Sequence, residues 1–260
     1  MIIRILVCCT ACFLLEPVAA QAQRFREHPP AEEPRNKGNA ILLHLSGGFQ
    51  LPGGDLANRF GNNGGIGGGL EWISAGNWAL GLETQLLFGQ DVKEDPLKIL
   101  RTPEGDIIGN DRTVASVSLR ERGIYFGGEV GRLFTFKKDS RSGIRLTLGA
   151  GWLQHHIRVQ DDTRTVTQLT GDYLKGYDRR CAGPAFNQFV GWQSLAANRR
   201  SNWMIGFEFN QGFTETRRDW DFNDMRRLDG KRIDLRFGIR ATWTLPFYFG
   251  APEKIFYCPR

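Results

Sequence analysis

Between Lys231 and Phe249 the large apolar residues fall at every second position. Ile233, Leu235, Phe237, Ile239, Trp243, Leu245, Phe247 and Phe249 alternate with Asp234, Arg236, Gly238, Arg240, Thr242 and Thr244. A side-chain period of two marks a strand with one apolar and one polar face. The run is far longer than an ordinary strand of about five or six residues. It is long enough to cross a bilayer at a tilt, which takes about 9–11 residues. The same alternation recurs upstream over Ile41–Gln50, Gly64–Ser74, Asn77–Phe88, Ser116–Phe134, Gly143–Val159, Gly183–Leu195 and Ser201–Glu215. The Gly183 strand is the least regular, because Phe186 and Phe189 fall on opposite faces.

The connections alternate as well. Long polar segments follow the strands ending at Gln50, Phe88, Val159 and Glu215, while Ala75-Gly76-Asn77, Lys137–Ser142 and Ala196–Arg200 are short turns. An even strand number with long and short connections in alternation predicts an all-β fold. The expected architecture is an eight-stranded antiparallel up-and-down transmembrane β-barrel over 41–249, with short periplasmic turns, long extracellular loops and both termini periplasmic. The competing arrangement is a soluble barrel with its apolar row inside. Volume decides between them: a barrel of this size has room for side chains or one small ligand. The apolar row carries too many Trp and Phe side chains to fit, whereas the opposite row is Gly, Ser, Thr and isolated charges. The apolar row is therefore expected to face lipid.

Composition adjusts this picture only slightly. A mean hydropathy of -0.35 is expected when polar residues alternate with apolar ones, and 32 glycines with 12% aromatics suit curved strands and interfacial belts. The net charge of +6 and pI of about 9.2 point, on a membrane surface, to anionic lipid and lipopolysaccharide rather than to nucleic acid. Residues 1–22 read as an export signal, with Arg4 in the n-region, an apolar stretch from Ile5 to Leu15 and Ala20-Gln21-Ala22 at the cleavage site. Residues 23–40 are mixed-charge and Pro-rich, an expected disordered periplasmic lead-in, and 250–260 form a short periplasmic tail. Cys8, Cys9 and Cys12 would leave with the signal. Cys181 and Cys258 remain, placed on opposite sides of the membrane, so no bridge between them is expected.

The polar row holds the candidate chemistry. His44, Glu71, Glu83, Glu129, Arg145, Glu208, Arg236 and Arg240 lie mid-strand on the inward face, often beside glycine. In a narrow lumen with little water, such charges must pair, which predicts a salt-bridged plug rather than an acid–base site. Asp219, Asp221 and Asn223 have the oxygen spacing of a calcium loop but lack its glycine and its terminal glutamate, Gly230 standing in the twelfth place. The plain reading of that loop is acids pairing with Arg217, Arg218, Arg226, Arg227 and Lys231. Arg217, Arg218, Arg226 and Arg227 are also candidates for gripping anions such as lipopolysaccharide phosphates. His155 and His156, adjacent on one strand, point to opposite faces and cannot share a metal. No nucleophile–histidine set stands out, and no catalytic residue, metal or cofactor is expected. The expected role is that of a non-enzymatic structural or interaction protein. A narrow channel for small or apolar solutes and a membrane-embedded lipid-modifying enzyme are the alternatives.

The stretches GGGLEWISAGNWALGLETQLLFG, GYDRRCAGPAFNQFVGW, NWMIGFEFNQGFTETRR and RIDLRFGIRATWTLPFYFG resemble the small outer-membrane barrels common in Bacteroidota. In general form the chain is also similar to the OmpA-like transmembrane domain. The resemblance covers about residues 40–250 and implies an outer-membrane location. Some relatives of this size are accessory subunits of secretion or barrel-assembly machines, so it also implies other outer-membrane proteins as partners. After Phe249 the sequence reads GAPEKIFYCPR, so, unlike full-length OmpA-type proteins, no peptidoglycan-binding domain is expected.

Overall fold

The computed structural model describes residues 38–136, 141–196, 202–227 and 230–249. The expected signal and most of the lead-in lie outside the described residues, as do the tail and Cys258. Eight long strands close on themselves: β1 (Asn39–Gly54), β2 (Asn63–Ile73), β3 (Trp78–Gly89), β4 (Val117–Thr135), β5 (Arg141–Asp161), β6 (Cys181–Leu195), β7 (Asn202–Thr216) and β10 (Lys231–Phe249). Each pairs antiparallel with its neighbours, and β1 pairs with β10 from Asn39↔Phe249 to Gly54↔Asp234, which seals the barrel. Closure leaves no free edge among these strands. β8 (Trp220–Asp221) and β9 (Arg226–Arg227) form a separate two-stranded ribbon in the last loop.

The alternation resolves as volume demands. Leu45, Leu80, Leu148 and Phe207 on the outward row are 61–67% exposed. On the other row His44, Glu71, Arg145, Arg236 and Thr244 are buried. Aromatic side chains gather on the exterior near the turns, where Trp72, Trp78, Phe134, Trp203, Trp243 and Phe247 are all exposed. Arg132 lies over the Trp78 ring at 4.9 Å, and Phe136 stacks on Trp192. A second set nearer the loops includes Phe88, Trp152, Phe186 and Phe213, the last two meeting edge to face. Aromatics at both ends of an apolar band are the exterior pattern of a bilayer-spanning barrel.

Several boundaries differ from those the alternation predicts; β5, for one, begins at Arg141, inside the expected turn, and runs to Asp161. β1 begins at Asn39, inside the expected lead-in, and runs on to Gly54 rather than ending at Gln50. The segment after it is not an open loop but a short helix, α1 (Asp55–Arg59), entered through Gly54 at φ 57°. β6 starts at Cys181, two residues before the Gly183 start that the alternation predicts. The turn at Ser74 behaves as expected: Asn77 donates its N–H to the Ser74 carbonyl at 2.9 Å with φ 65°, a conformation asparagine tolerates.

Candidate functional site: the filled interior and its cap

From the turn end upward, the interior is built in layers. Arg141 closes the bottom, donating Nε to Asn77 Oδ1 and Nη1 to the Gly38 carbonyl. Above it Ala40, Leu42, Ile73, Ala79 and Leu195 form a buried apolar layer. The first charged layer follows. Arg145 pairs with Glu71 and donates Nε to Thr147 at 3.0 Å. His44 stands 3.0 Å from Thr244 Oγ1 and 3.7 Å from Glu71 Oε1.

In the next layer Arg240 pairs with Glu83 and lies 3.4 Å from Glu208. Its guanidinium sits 4.5 Å from the centre of the Phe189 ring. That ring covers a glycine pair, Gly191 opposite Gly206, where any Cβ would strike the facing backbone. The glycines thus let an aromatic lie flat against the wall and present its face to the arginine. Gln85 donates to Glu208 at 3.3 Å, tying neighbouring layers together.

The structure does not bring all the candidate residues together in one manner. Arg236 was expected to pair with the lumen glutamates. It instead donates to Gln50 Oε1 at 3.0 Å and Gln85 Oε1 at 3.3 Å, because those amides occupy the space its side chain reaches. Glu129 makes no ion pair among the described residues; it lines a small void with His44, Ser46, Glu83, Met204, Arg240 and Thr242. That void measures about 10 Å³, room for roughly one water. A larger concavity of about 450 Å³ is bordered by the outward-facing Leu146, Leu148, Val190, Phe207 and Phe237 on the outer wall.

Towards the loops a second apolar layer, Leu87, Tyr125, Leu153 and Ala185, blocks the axis. Above it Asn63 donates to both oxygens of Glu121. His155, which shares no metal with His156, has a carboxylate partner: its Nε2 lies 2.8 Å from Asp234 Oδ2, which also accepts the Thr214 hydroxyl. The carboxylate sits between the imidazole and the hydroxyl, so this set bridges β5, β7 and β10 and prepares no nucleophile. Phe60 lies edge-on to His155 and packs with Leu56 and Ile157. The fold therefore turns α1 into a stopper. Leu56 and Phe60, one helical turn apart, were the available signal for it.

Over the stopper the loops form their own core and ion network. Leu97, Ile107, Ala115, Val166, Leu169 and Tyr177 come from two loops and pack as one cluster, with Phe222 of the last loop against it. Arg59 pairs with Glu94 at 2.6 Å and donates to Cys181 Sγ at 3.2 Å. Arg179 pairs with Asp221 and with Glu94. The expected pairing of the last loop is thus partly replaced. Asp221 goes to Arg179, Arg218 to Asp178, and among the described residues only Arg226–Asp224 lies within the loop. Arg217 covers the Trp152 ring, Arg218 is held by Asp178, and Arg226 and Arg227 are exposed, so the four candidate arginines are not gathered around one partner. The Asp178 hydrogen bond holds the Arg218 guanidinium above its ordinary pKa, and burial does the same for the Tyr177 hydroxyl. Asp221 Oδ1 accepts the Asn223 N–H, so the calcium-like spacing folds as a turn stabilised by its own aspartate. Among the described residues no three acidic, histidine or cysteine side chains are arranged to hold a metal.

The chain is an eight-stranded antiparallel barrel with an apolar exterior and a packed, charge-layered interior. Neither a family model nor a curated protein matches it. Among solved structures it is similar to Ail, the attachment invasion locus protein of Yersinia pestis, at 9% identity and TM-score 0.41, with 80% of this chain and 99% of that one covered. It is similar to Neisserial surface protein A at 9% identity and TM-score 0.41, covering 81% and 100%. It is also similar to the outer-membrane protein OprG from Pseudomonas aeruginosa at 8% identity and TM-score 0.35, covering 82% and 97%.

Proposed function

We propose that this chain is an integral outer-membrane protein of the small Bacteroidota type. It crosses the bilayer with its loops outside and its termini periplasmic, and serves as a non-enzymatic structural or interaction protein. The observation that carries this reading is the combination of an apolar exterior with an interior closed at several levels. An exterior of exposed Leu, Phe and Trp on every strand is incompatible with water on that face. A lumen blocked by Tyr125, by Phe60 and by paired arginines supports anchoring and presentation over transport. What such a barrel offers a partner is its packed loop cap, in which Ile99, Tyr173, Trp220 and Met225 are exposed. That suits an accessory subunit of a larger outer-membrane assembly, found by co-purification in mild detergent. The decisive test is a planar-bilayer recording of the refolded protein. No stable conductance of porin size is expected, and such a channel would overturn the filled lumen.

A further inference from the structure

Where β4 and β5 rise above the apolar band, they place Arg120 opposite Arg158 and Arg122 opposite His156. The residues between them, Glu121, His155 and Ile157, are buried, so these four side chains stand on the outer wall. Like charges directly opposite on neighbouring strands are destabilising. The loop arginines Arg179, Arg218 and Arg226 all have carboxylate partners. Among the described residues Arg120, Arg122 and Arg158 have none. Arg122 donates one Nη to the Glu121 carbonyl at 2.7 Å, and the nearby Asp178, beside His156, is already taken by Arg218.

Directly below on the same strands Ile124, Phe126 and Trp152 are exposed, and Phe88 of β3 stands opposite Arg122. At about 3.4 Å per residue, Ile124 and Phe126 lie roughly 7 and 14 Å from Arg122 along β4. That is the spacing of a headgroup above the start of its chains.

We propose that Arg120, Arg122 and Arg158 bind the phosphate of a phosphorylated lipid whose acyl chains lie along the Phe88, Ile124, Phe126 and Trp152 face. The inference rests on the membrane location proposed above. Guanidinium groups take phosphate through parallel N–H donors, and the anion removes the repulsion between the facing arginines. A free phosphate would have no use for the apolar residues beneath.

The test uses the full chain refolded into phosphatidylcholine vesicles with and without dioleoyl phosphatidic acid, reading the unfolding temperature. Phosphatidic acid is expected to raise it for the wild type and for the control R226Q/R227Q. The rise should be lost in R120Q/R122Q/R158Q and mostly lost in R158Q, the change at an exposed position that separates a binding loss from misfolding. Retention of the whole rise in R158Q or the triple variant would overturn the assignment. So would an equal rise from inorganic phosphate added to plain phosphatidylcholine vesicles, which would mark a free-anion site. Wild-type insertion into plain vesicles without any lipid preference overturns this inference alone. Failure of the wild type to insert at all overturns the membrane reading and this inference with it.

Discussion

At the scale of single residues, the interior works by matching each cation to an acceptor it can reach. Arg145 is almost fully buried between Glu71, Thr147 and Gln193. Deleting one partner of such a pair leaves an uncompensated charge, at a cost of about 3–5 kcal/mol. Arg145→Met should therefore destabilise the barrel by that order in urea unfolding from micelles, while the double change Glu71→Gln with Arg145→Met recovers much of the loss. Glu129, which has no cation paired to it, gives the opposite expectation: Glu129→Gln should be nearly neutral. An equal cost for Glu129→Gln would mean that the layer relies on its charge.

At the scale of elements, the glycines set how closely strands and rings approach. On β6 and β7, Gly191 and Gly206 face one another under the Phe189 ring, with backbone atoms 2.3–2.4 Å from the site of a Cβ at Gly206. Gly206→Val must displace both the strand partner and the ring that carries Arg240. Overpacking of a full interior costs roughly 1–3 kcal/mol or more, and here it also breaks the cation–aromatic contact. The expected result is loss of the heat-modifiable folded band on a gel, whereas Gly47→Val, with nothing within 4 Å of its Cβ site, should keep the band. The strands themselves were legible because alternation is a local property. α1 was less so, because a five-residue helix is stable only where tertiary packing receives its Leu56 and Phe60.

At the scale of the whole molecule, closure is redundant. The stopper of α1, the Tyr125 layer, the paired arginines and the Ala40–Leu42 layer block one axis in series. Phe60→Ala should cost about 3–5 kcal/mol of stability and loosen the loop cap to protease. It should nevertheless leave the protein electrically silent in a planar bilayer, because the layers below it remain. A channel opened by this one change would show that α1 alone gates the lumen.

What the sequence determined by itself was the wall: strand number, strand order and the direction each row faces. Those follow from a period of two and from the volume that an eight-stranded barrel can enclose. The closing strand Lys231–Phe249 carries both signals in full, and its limits stand unchanged in the structure. Only the tertiary structure decided who meets whom inside. Arg236 and Arg240 are four residues apart on one face of β10, yet one reaches glutamines and the other glutamates. His155 and Asp234 are separated by 79 positions and touch only because the barrel closes. Side-chain pairing across a lumen depends on shear and on the reach of each rotamer, neither of which is written in local periodicity.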